Sequence, residues 1–274
     1  MKDYINALRC VRDKAPLVQC ITNFVTVNDC ANIILAIGGS PSMAQDIREV
    51  EEAVIGVQAL VCNMGAIELI DSMIIAGKKA NSLNKPVILD PVAAGGTSLR
   101  REASRKLLSE VHFTAIRGNA SEIRFLAGMQ SVGSGVDVSV EDAITEEKLS
   151  ENIEIAKSLA LKTKSIIAIS GVLDIITDGN KTVVLRNGCA TMARITGSGC
   201  MLTSLIGAFC GAMPDDAFSA TVAAMAAMGV CGEIAEDYRL KKGTGNATFR
   251  TDLIDAIFNL TEKQLMEEIQ YEVF

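Results

Sequence analysis

A glycine-rich loop with a cysteine stands directly before a long uncharged segment in the second half of the chain. The loop reads TGSGC over residues 196–200, and the uncharged segment covers residues 201–210. Glycines let the backbone come close to a ligand, and the free N–H groups at a helix start attract anions. The pattern therefore predicts a buried helix whose first turn binds a phosphate group.

Cys200 is the residue of this loop that could take part directly in a reaction. In the first turn of a helix, the positive end of the helix dipole lowers the pKa of a thiol. We therefore expect a thiolate that acts as a base or a nucleophile near neutral pH. Two structural interpretations stay open. Glycine-rich turns before helices are common, and Cys200 could be an inert helix thiol, as we expect for Cys210.

Polar and charged residues also stand at the ends of several apolar runs that have the pattern of buried strands. These residues are Asn63, Asp90, Arg117, Asn119 and Ser170. Ligands of parallel α/β sheets bind at the carboxyl ends of the strands. We therefore expect these side chains and the TGSGC loop to lie together at one edge of a sheet.

The chemistry of this set fits phosphoryl transfer, which needs charge neutralisation, a metal ion and a base near the acceptor hydroxyl. Arg117 supplies a fixed positive charge, and Asp90 and Glu122 could hold Mg²⁺ directly or through water. Cys200 is then the candidate base. Structural alternatives stay open here too, because Asp90 could cap a turn and Arg117 could form only a salt bridge. Glu122 could form a helix cap with Asn119, three residues before it.

The elements that must position these residues alternate between strands and helices along most of the chain. Strands are predicted over residues 17–21, 59–63, 86–92, 114–119 and 165–171, and an antiparallel hairpin over residues 174–185. Residues 40–44 have the pattern of a short exposed link, residues 133–147 that of a surface loop, and most of 200–268 is helical. We predict a single α/β domain over residues 1–274. Its three layers are a mostly parallel central sheet with an antiparallel edge hairpin, and helices on both faces.

The composition supports this class of fold. Of the 274 residues, 49% are hydrophobic but only 4% are aromatic and Trp is absent, so aliphatic side chains must form the core. A net charge of -7 argues against nucleic acid or an anionic membrane as the main partner. The uncharged residues 196–214 and 217–232 are rich in Gly, Ala and hydroxyl groups, so we expect buried helices there rather than membrane spans.

The cysteines and the single histidine argue against several further functions. The eight cysteines have irregular spacing without a CxxC pair, which indicates reduced, buried thiols and no structural zinc site. The N-terminal residues are charged and lead into no apolar run, so we expect no secretory signal and a cytoplasmic protein. A hydrolase with a Cys200 nucleophile would need a nearby base, but His112 is predicted at the opposite edge of the sheet.

Several motifs in a fixed order extend over nearly the whole chain. They read CITNFVTVNDCANIILAIGGSPSMA (residues 20–44), NMG (63–65), MIIAGKKAN (73–81), PVILDPVAAGGT (86–97), AIRGNASEI (115–123) and TGSGCMLTSLIGAF (196–209). On these motifs the chain resembles the hydroxyethylthiazole kinase family of the ribokinase-like superfamily. The resemblance implies a ribokinase-like fold and ATP-dependent phosphorylation of the hydroxyl of 4-methyl-5-(2-hydroxyethyl)thiazole in thiamin salvage, with ATP and Mg²⁺ as cofactors.

On the substrate side, the resemblance implies three binding residues. Met43 matches the residue whose backbone N–H meets the thiazole, Asn23 lies close by, and Gly197 belongs to the anion hole near the substrate hydroxyl. Family members are typically homotrimers with the thiazole site at a subunit interface. Asn23 and Met43 could therefore act in trans to Cys200.

On the nucleotide side, the resemblance assigns the ATP contacts to Arg117, Ser170 and Gly199. Asp90 and Glu122 match the metal-side acids. Cys200 is the catalytic residue by this resemblance, at the place where most ribokinase-like enzymes have Asp and this family typically has Cys.

Three small departures from the family pattern accompany the resemblance. Ala93 stands where Gly is usual, Ser198 where Ala is usual, and Ser170 where Thr is common. Two other functions stay open. The chain could be a related kinase that acts on a pyrimidine or pyridine alcohol, or a non-catalytic sensor of nucleotide or thiazole.

Overall fold

One nine-stranded sheet forms the centre of the described part of the chain. The structure is a computed structural model that describes residues 2–129 and 148–274, so the surface loop predicted at residues 133–147 lies outside the described residues. The strands in chain order are β1 (Leu17–Ile21), β2 (Ser40–Ser42), β3 (Ala59–Asn63), β4 (Val87–Asp90), β5 (Ala115–Gly118), β6 (Ile166–Ile169), β7 (Asp174–Thr177), β8 (Thr182–Leu185) and β9 (Tyr271–Val273).

The sheet is mostly parallel, as the sequence predicted. Across it the strands follow the order β2-β1-β3-β4-β5-β6-β7-β8-β9. Every neighbouring pair from β2 through β6 is parallel, whereas β6 to β9 pair antiparallel. The carboxyl ends of the six parallel strands therefore share one edge of the sheet.

Helices cover both faces of this sheet. They are α1 (Lys2–Lys14), α2 (Val27–Ile37), α3 (Val50–Ala53), α4 (Ile70–Ser82), α5 (Ser98–Glu110), α6 (Ala120–Leu126), α7 (Leu149–Thr163), α8 (Ser198–Ala212), α9 (Ala217–Lys242), α10 (Asn246–Asn259) and α11 (Glu262–Glu268). Residues of α1, α2 and α8 to α11 pack into one hydrophobic cluster, and residues of α3 to α7 pack into the other.

The central strands β3, β4 and β6 are short, mostly aliphatic runs that are buried on both sides. In β3, for example, Val61 belongs to one cluster and its neighbour Leu60 to the other. Successive side chains of a strand point to opposite faces, so a strand covered by helices on both faces must be apolar throughout. Because of this requirement, the central strands could be recognised in the sequence as continuous apolar runs.

Two short edge strands differ from the predictions. Residues 40–44 are predicted as an exposed link, but Ser40–Ser42 forms β2, which pairs in parallel with β1. The hairpin of β7 and β8 is present, but it is not the edge, because β9 pairs with β8 on its outer side. Strands of three residues carry too little periodic pattern to be recognised, and Pro41 is tolerated because β2 is an edge strand.

The long apolar helix α9 belongs to the core. By length and composition alone, the segment Pro214–Lys242 could cross a membrane, but 78% of its most apolar window is buried inside the fold. The whole segment 201–212 of α8 is buried beside it. All eight cysteines are free thiols.

Candidate active site

The carboxyl ends of the parallel strands bring most of the predicted residues to one edge of the sheet. Asn63 ends β3 and Asp90 ends β4, and the two are direct partners in the register of these strands. Arg117 lies near the end of β5, Ser170 follows β6, and Asn23 follows β1. The predicted clustering therefore follows from the parallel topology.

The TGSGC loop begins α8 at this edge. Gly197 is the N-cap of α8 and has a φ of 83°, in the left-handed region that favours glycine. A Cβ at Gly197 would lie 2.6 Å from Cγ2 of Thr26, and a Cβ at Gly199 would collide with Nη1 of Arg117. The first turn of α8 therefore packs directly against Thr26 and Arg117, and both loop positions require a residue without a side chain.

Cys200 lies in the first turn of α8 and contacts two side-chain amides. Nδ2 of Asn63 donates to its Sγ at 3.2 Å, and Nδ2 of Asn23 donates at 3.5 Å. Burial raises the pKa of the Cys200 thiol, and the nearby charge of Asp90 raises this pKa further, although hydrogen bonds lower it. Burial and the charge of Asp90 therefore act against the expected thiolate, and they outweigh the donors around the sulfur.

Asp90 is buried among the side chains of three other elements. Its Oδ2 accepts hydrogen bonds from Nδ2 of Asn63 and Oγ1 of Thr203, each at 2.9 Å. Nη1 of Arg117 lies 3.9 Å from the same oxygen. Burial raises the pKa of the Asp90 carboxyl, whereas Arg117 and the two hydrogen bonds lower it. The Asp90 side chain thus ties β4 to β3, β5 and α8.

Glu122 forms a capping box with Asn119 at the start of α6, which is the structural alternative that the sequence left open. Its Oε2 accepts the backbone N–H of Asn119 at 2.8 Å, and its Oε1 accepts the N–H of Ala93 at 2.8 Å. Burial, followed by the charge of Asp90, raises the pKa of Glu122 to about 7. Glu122 therefore holds the loop after β4 against the start of α6.

The two acids fit a hydrated magnesium ion rather than a cage of protein ligands. Among residues 2–129 and 148–274, no group of three or more His, Cys, Asp or Glu side chains could hold a metal ion. Mg²⁺ usually keeps several waters and takes one or two carboxylates besides the phosphate oxygens of a nucleotide. Asp90 and Glu122 match that number. Oδ2 of Asp90 already accepts two hydrogen bonds, so Oδ1 of Asp90 and the second lone pair of each Glu122 oxygen are what could accept a metal-bound water.

Arg117 and Ser170, the two predicted ATP contacts outside the loop, meet each other directly. Nη2 of Arg117 donates a short hydrogen bond to Oγ of Ser170. The Nε of Arg117 is buried and has no hydrogen-bond partner in the described part of the chain. A mostly buried guanidinium with a spare donor is suited to bind a phosphate oxygen. The salt bridge that the sequence left open is present as well, because Nη1 of Arg117 lies 3.9 Å from Oδ2 of Asp90.

Asn23 and Met43 occupy different places on the substrate side. Oδ1 of Asn23 accepts the backbone N–H groups of Val25 and Thr26, each at 3.1 Å, and so shapes the loop between β1 and α2. Asn23 contacts Cys200 of its own chain, and its action in trans stays a prediction. Met43 follows β2 and packs against the hydrophobic cluster that contains α8. Among the described residues, the structure brings Asn23 but not Met43 into hydrogen-bond contact with Cys200.

Three polar residues of the site escaped the sequence analysis. Thr203 donates to Asp90, Thr26 borders Gly197, and Asp174 at the start of β7 accepts the N–H of Gly171 at 2.9 Å. Burial raises the pKa of Asp174 to about 7. Thr203 had a signal, because it follows Cys200 by three residues and therefore lies on the same helix face.

A family comparison identifies the chain more closely than the geometry alone. The model of the hydroxyethylthiazole kinase family matches residues 8–263, which is most of the chain. The chain belongs to the hydroxyethylthiazole kinase family. It is 48% identical over 266 residues to the hydroxyethylthiazole kinase of Clostridium acetobutylicum, and the match covers 96% of this chain and 97% of that relative.

Solved structures agree with this membership. A hydroxyethylthiazole kinase protein from Pyrococcus horikoshii OT3 superposes with a TM-score of 0.87 at 32% identity, over 100% of both chains. A pyridoxal kinase from Bacillus subtilis superposes with a TM-score of 0.57 at 17% identity, over 78% of this chain and 90% of that one. The second likeness concerns the fold alone, and it confirms the predicted ribokinase-like architecture.

His112 lies far from the candidate active site. It stands between the end of α5 and the start of β5, at the amino edge of the sheet. Its backbone carbonyl accepts Nδ2 of Asn81 at 2.8 Å. Cys200 lies at the carboxyl edge, so the two residues cannot form the pair that a cysteine hydrolase needs.

The departure at Ala93 from the family pattern gives a prediction about stability. Ala93 has a φ of 53°, a left-handed conformation that glycine adopts at lower cost. We expect Ala93→Gly to raise the free energy of unfolding by about 0.5–1 kcal/mol in urea titrations, because relief of the strain exceeds the added chain entropy.

Asn84→Gly is the matched control for this variant. Asn84 has nearly the same φ, 54°, but Asn tolerates the left-handed region better than Ala. We expect a smaller gain for Asn84→Gly than for Ala93→Gly. A loss of stability in Ala93→Gly would show that the methyl group of Ala93 stabilises the loop more than its backbone strain costs.

Proposed function

We propose that this chain phosphorylates the hydroxyl of 4-methyl-5-(2-hydroxyethyl)thiazole with ATP as the phosphate donor, in thiamin biosynthesis or salvage. The observation that carries the proposal is the convergence of Cys200, Asp90 and Arg117 on the first turn of α8. This convergence joins an anion-binding helix start, a fixed positive charge and a metal-side acid at one sheet edge. Family membership supports the choice of substrate.

In this proposal the nucleotide binds on the Arg117 side of the loop. The backbone N–H groups around Gly199 and the free Nε of Arg117 bind phosphate oxygens, and Ser170 holds the guanidinium in place. The close packing of Gly199 against Arg117 leaves the loop backbone, rather than a side chain, to meet the phosphates. These contacts neutralise charge on the transferring group, which is the main requirement of phosphoryl transfer.

The thiazole binds on the other side of Cys200, near Asn23, Met43 and Gly197. Cys200 accepts or orients the proton of the substrate hydroxyl while the start of α8 stabilises the transferring phosphate. Only the thiolate form of Cys200 could accept this proton. The neutral thiol orients the hydroxyl, whose proton then leaves late together with the transferred phosphate, because phosphoryl transfer through a loose transition state needs little prior deprotonation of the acceptor. Asp90 and Glu122 would hold Mg²⁺ through its water ligands, and the bound ion would neutralise developing charge on the phosphates.

The assembly that we propose is a cytoplasmic homotrimer of single kinase domains with active sites at the subunit interfaces. Phe24 and Val25 support an interface at this place, because their side chains are 83% and 57% exposed directly beside Asn23. Apolar groups that border a site are often covered by a partner. Met43 then reaches the thiazole of a neighbouring subunit. Sedimentation of the purified protein measures the oligomeric state.

A substrate panel tests the proposal. Purified protein with Mg-ATP is given hydroxyethylthiazole, hydroxymethylpyrimidine or pyridoxal, and ADP formation is measured with and without EDTA. We expect clear stimulation by the thiazole and loss of that stimulation when EDTA removes the metal. Stimulation by another alcohol alone would favour a related pyrimidine or pyridine kinase. No stimulation by any alcohol would favour the sensor.

A further inference from the structure

Asn63 lies at the centre of the site and uses its whole side-chain amide. Its Nδ2 donates to Oδ2 of Asp90 at 2.9 Å and to Sγ of Cys200 at 3.2 Å. Its Oδ1 accepts from the backbone N–H of Gly65 at 2.8 Å and from Nδ2 of Asn23 at 3.2 Å. The residue is only 1% exposed. Both hydrogens and both lone pairs of the amide are therefore engaged.

The partners of Asn63 fix which way its amide points. The N–H of Gly65 can only donate, and the Asp90 carboxylate, which already takes a hydrogen bond from Thr203, is an acceptor. Exchanging the oxygen and nitrogen of the amide would set donor against donor at Gly65 and acceptor against acceptor at Asp90. The N–H groups of Asn63 therefore face Asp90 and Cys200.

We infer that Asn63 is a positioning residue for phosphoryl transfer, because its amide holds the sulfur of Cys200 and the carboxylate of Asp90 in one geometry and links both to Asn23. The inference rests on the proposed function. Asp90 lies on the side of the phosphate donor and Asn23 on the side of the acceptor alcohol. The buried side chain of Asn63 therefore aligns the two reactants. The Arg117–Ser170 contact does not involve Asn63, so nucleotide binding should depend little on it.

Asn63→Asp is the sharpest test, because it keeps the shape of the side chain and replaces two donors by acceptors. We expect kcat to fall by about 10²-fold, as is typical when reacting groups lose their alignment, with the KM for ATP nearly unchanged. Thr203→Val is the matched control. It also removes a hydrogen bond to Asp90 and is close in shape, but Thr203 does not contact the sulfur. We expect it to lower kcat by roughly 10-fold, the lower end of the range for one hydrogen bond to a charged group.

A double-mutant cycle separates the role of Asn63 at Cys200 from its role at Asp90. In a Cys200→Ala background the sulfur is absent, so Asn63→Asp should lower kcat by clearly less than it does in the native background, and the remaining loss reports its effect on Asp90. An equal loss for Asn63→Asp with and without Cys200 would overturn the inference. Thermal unfolding of each variant checks that it is folded, and Asn63→Ser, which is too short to reach the sulfur, replaces Asn63→Asp if that variant does not fold.

A second measurement needs neither ATP nor thiazole. Iodoacetamide is added to the full-length protein at a fixed pH, and mass spectrometry follows alkylation of the peptide that contains Cys200. Losing an N–H donor and gaining an acceptor beside the sulfur disfavours the thiolate, so Asn63→Asp should slow alkylation by about threefold or more. Thr203→Val should leave the rate unchanged. Equal rates in all three proteins would overturn the inference even if the kinase activity is established. The expected rates without any thiazole phosphorylation would instead uphold the contact and reject the proposed function.

Discussion

Replacing Cys200 by Ala is expected to lower kcat for thiazole phosphorylation by roughly 10²–10⁴-fold, the range for loss of a positioned proton acceptor. The thiol lies in the first turn of α8, where Asn63 and Asn23 orient its sulfur toward the strand ends. The variant loses the group that receives or aligns the hydroxyl proton, whereas the Arg117 side of the site is retained. Steady-state kinetics with saturating ATP measures the change.

Two further variants control for this result. Cys200→Asp should retain activity, because by resemblance Asp stands at this place in most ribokinase-like enzymes. Cys210→Ala removes another thiol of α8 that is buried away from the loop, so kcat should not change. Full activity in Cys200→Ala would show that the thiol neither accepts nor orients the proton.

Replacing Gly197 by Ala is expected to lower kcat by about 10²–10³-fold, the range for loss of one oxyanion-type donor. The new methyl group would meet Cγ2 of Thr26, and the left-handed φ of 83° is unfavourable for Ala. The N-cap must therefore move, and the N–H groups of the first turn of α8 move with it. The free energy of unfolding should also fall, by at least the ~1–2 kcal/mol that a left-handed Ala costs.

Gly243→Ala is the matched control for the backbone part of this effect. Gly243 ends α9 with a φ of 66°, and nothing lies within 4 Å of a Cβ built there. It should therefore carry a similar conformational cost without a clash and without any loss of kcat. If Gly197→Ala and Gly243→Ala had the same kcat, the loop backbone would have no part in binding the transferring phosphate.

The central architecture could be predicted from the sequence because a strand that is buried on both faces is a continuous apolar run. The central parallel strands are short aliphatic runs, and in β3 and β4 a polar last residue marks the edge where ligands bind. The edge strands β2 and β9 have no such apolar run. They are three residues long and partly exposed, and only the neighbouring strand makes them part of the sheet.

The position of these residues at one edge of the sheet was predictable, but their electrostatics were not. The order of residues places Cys200 at a helix start, which alone favours a lowered thiol pKa. The structure shows burial and the charge of Asp90 acting in the opposite direction, and both depend on how α8 packs against β3 and β4. The hydrogen bonds of Asn63 could not be predicted either. Its partners Asn23, Asp90 and Cys200 are distant in the chain, and only the fold brings them to the side-chain amide of Asn63.

Transfer of the γ-phosphate itself tests the account most directly. The native protein is incubated with Mg²⁺, γ-labelled ATP and hydroxyethylthiazole, and the products are separated and identified by mass. We expect the label in thiazole monophosphate, in an amount equal to the ADP formed, and almost none of it with Cys200→Ala. Label found only in free inorganic phosphate, or thiazole monophosphate formed equally well by Cys200→Ala, would contradict the mechanism that we propose.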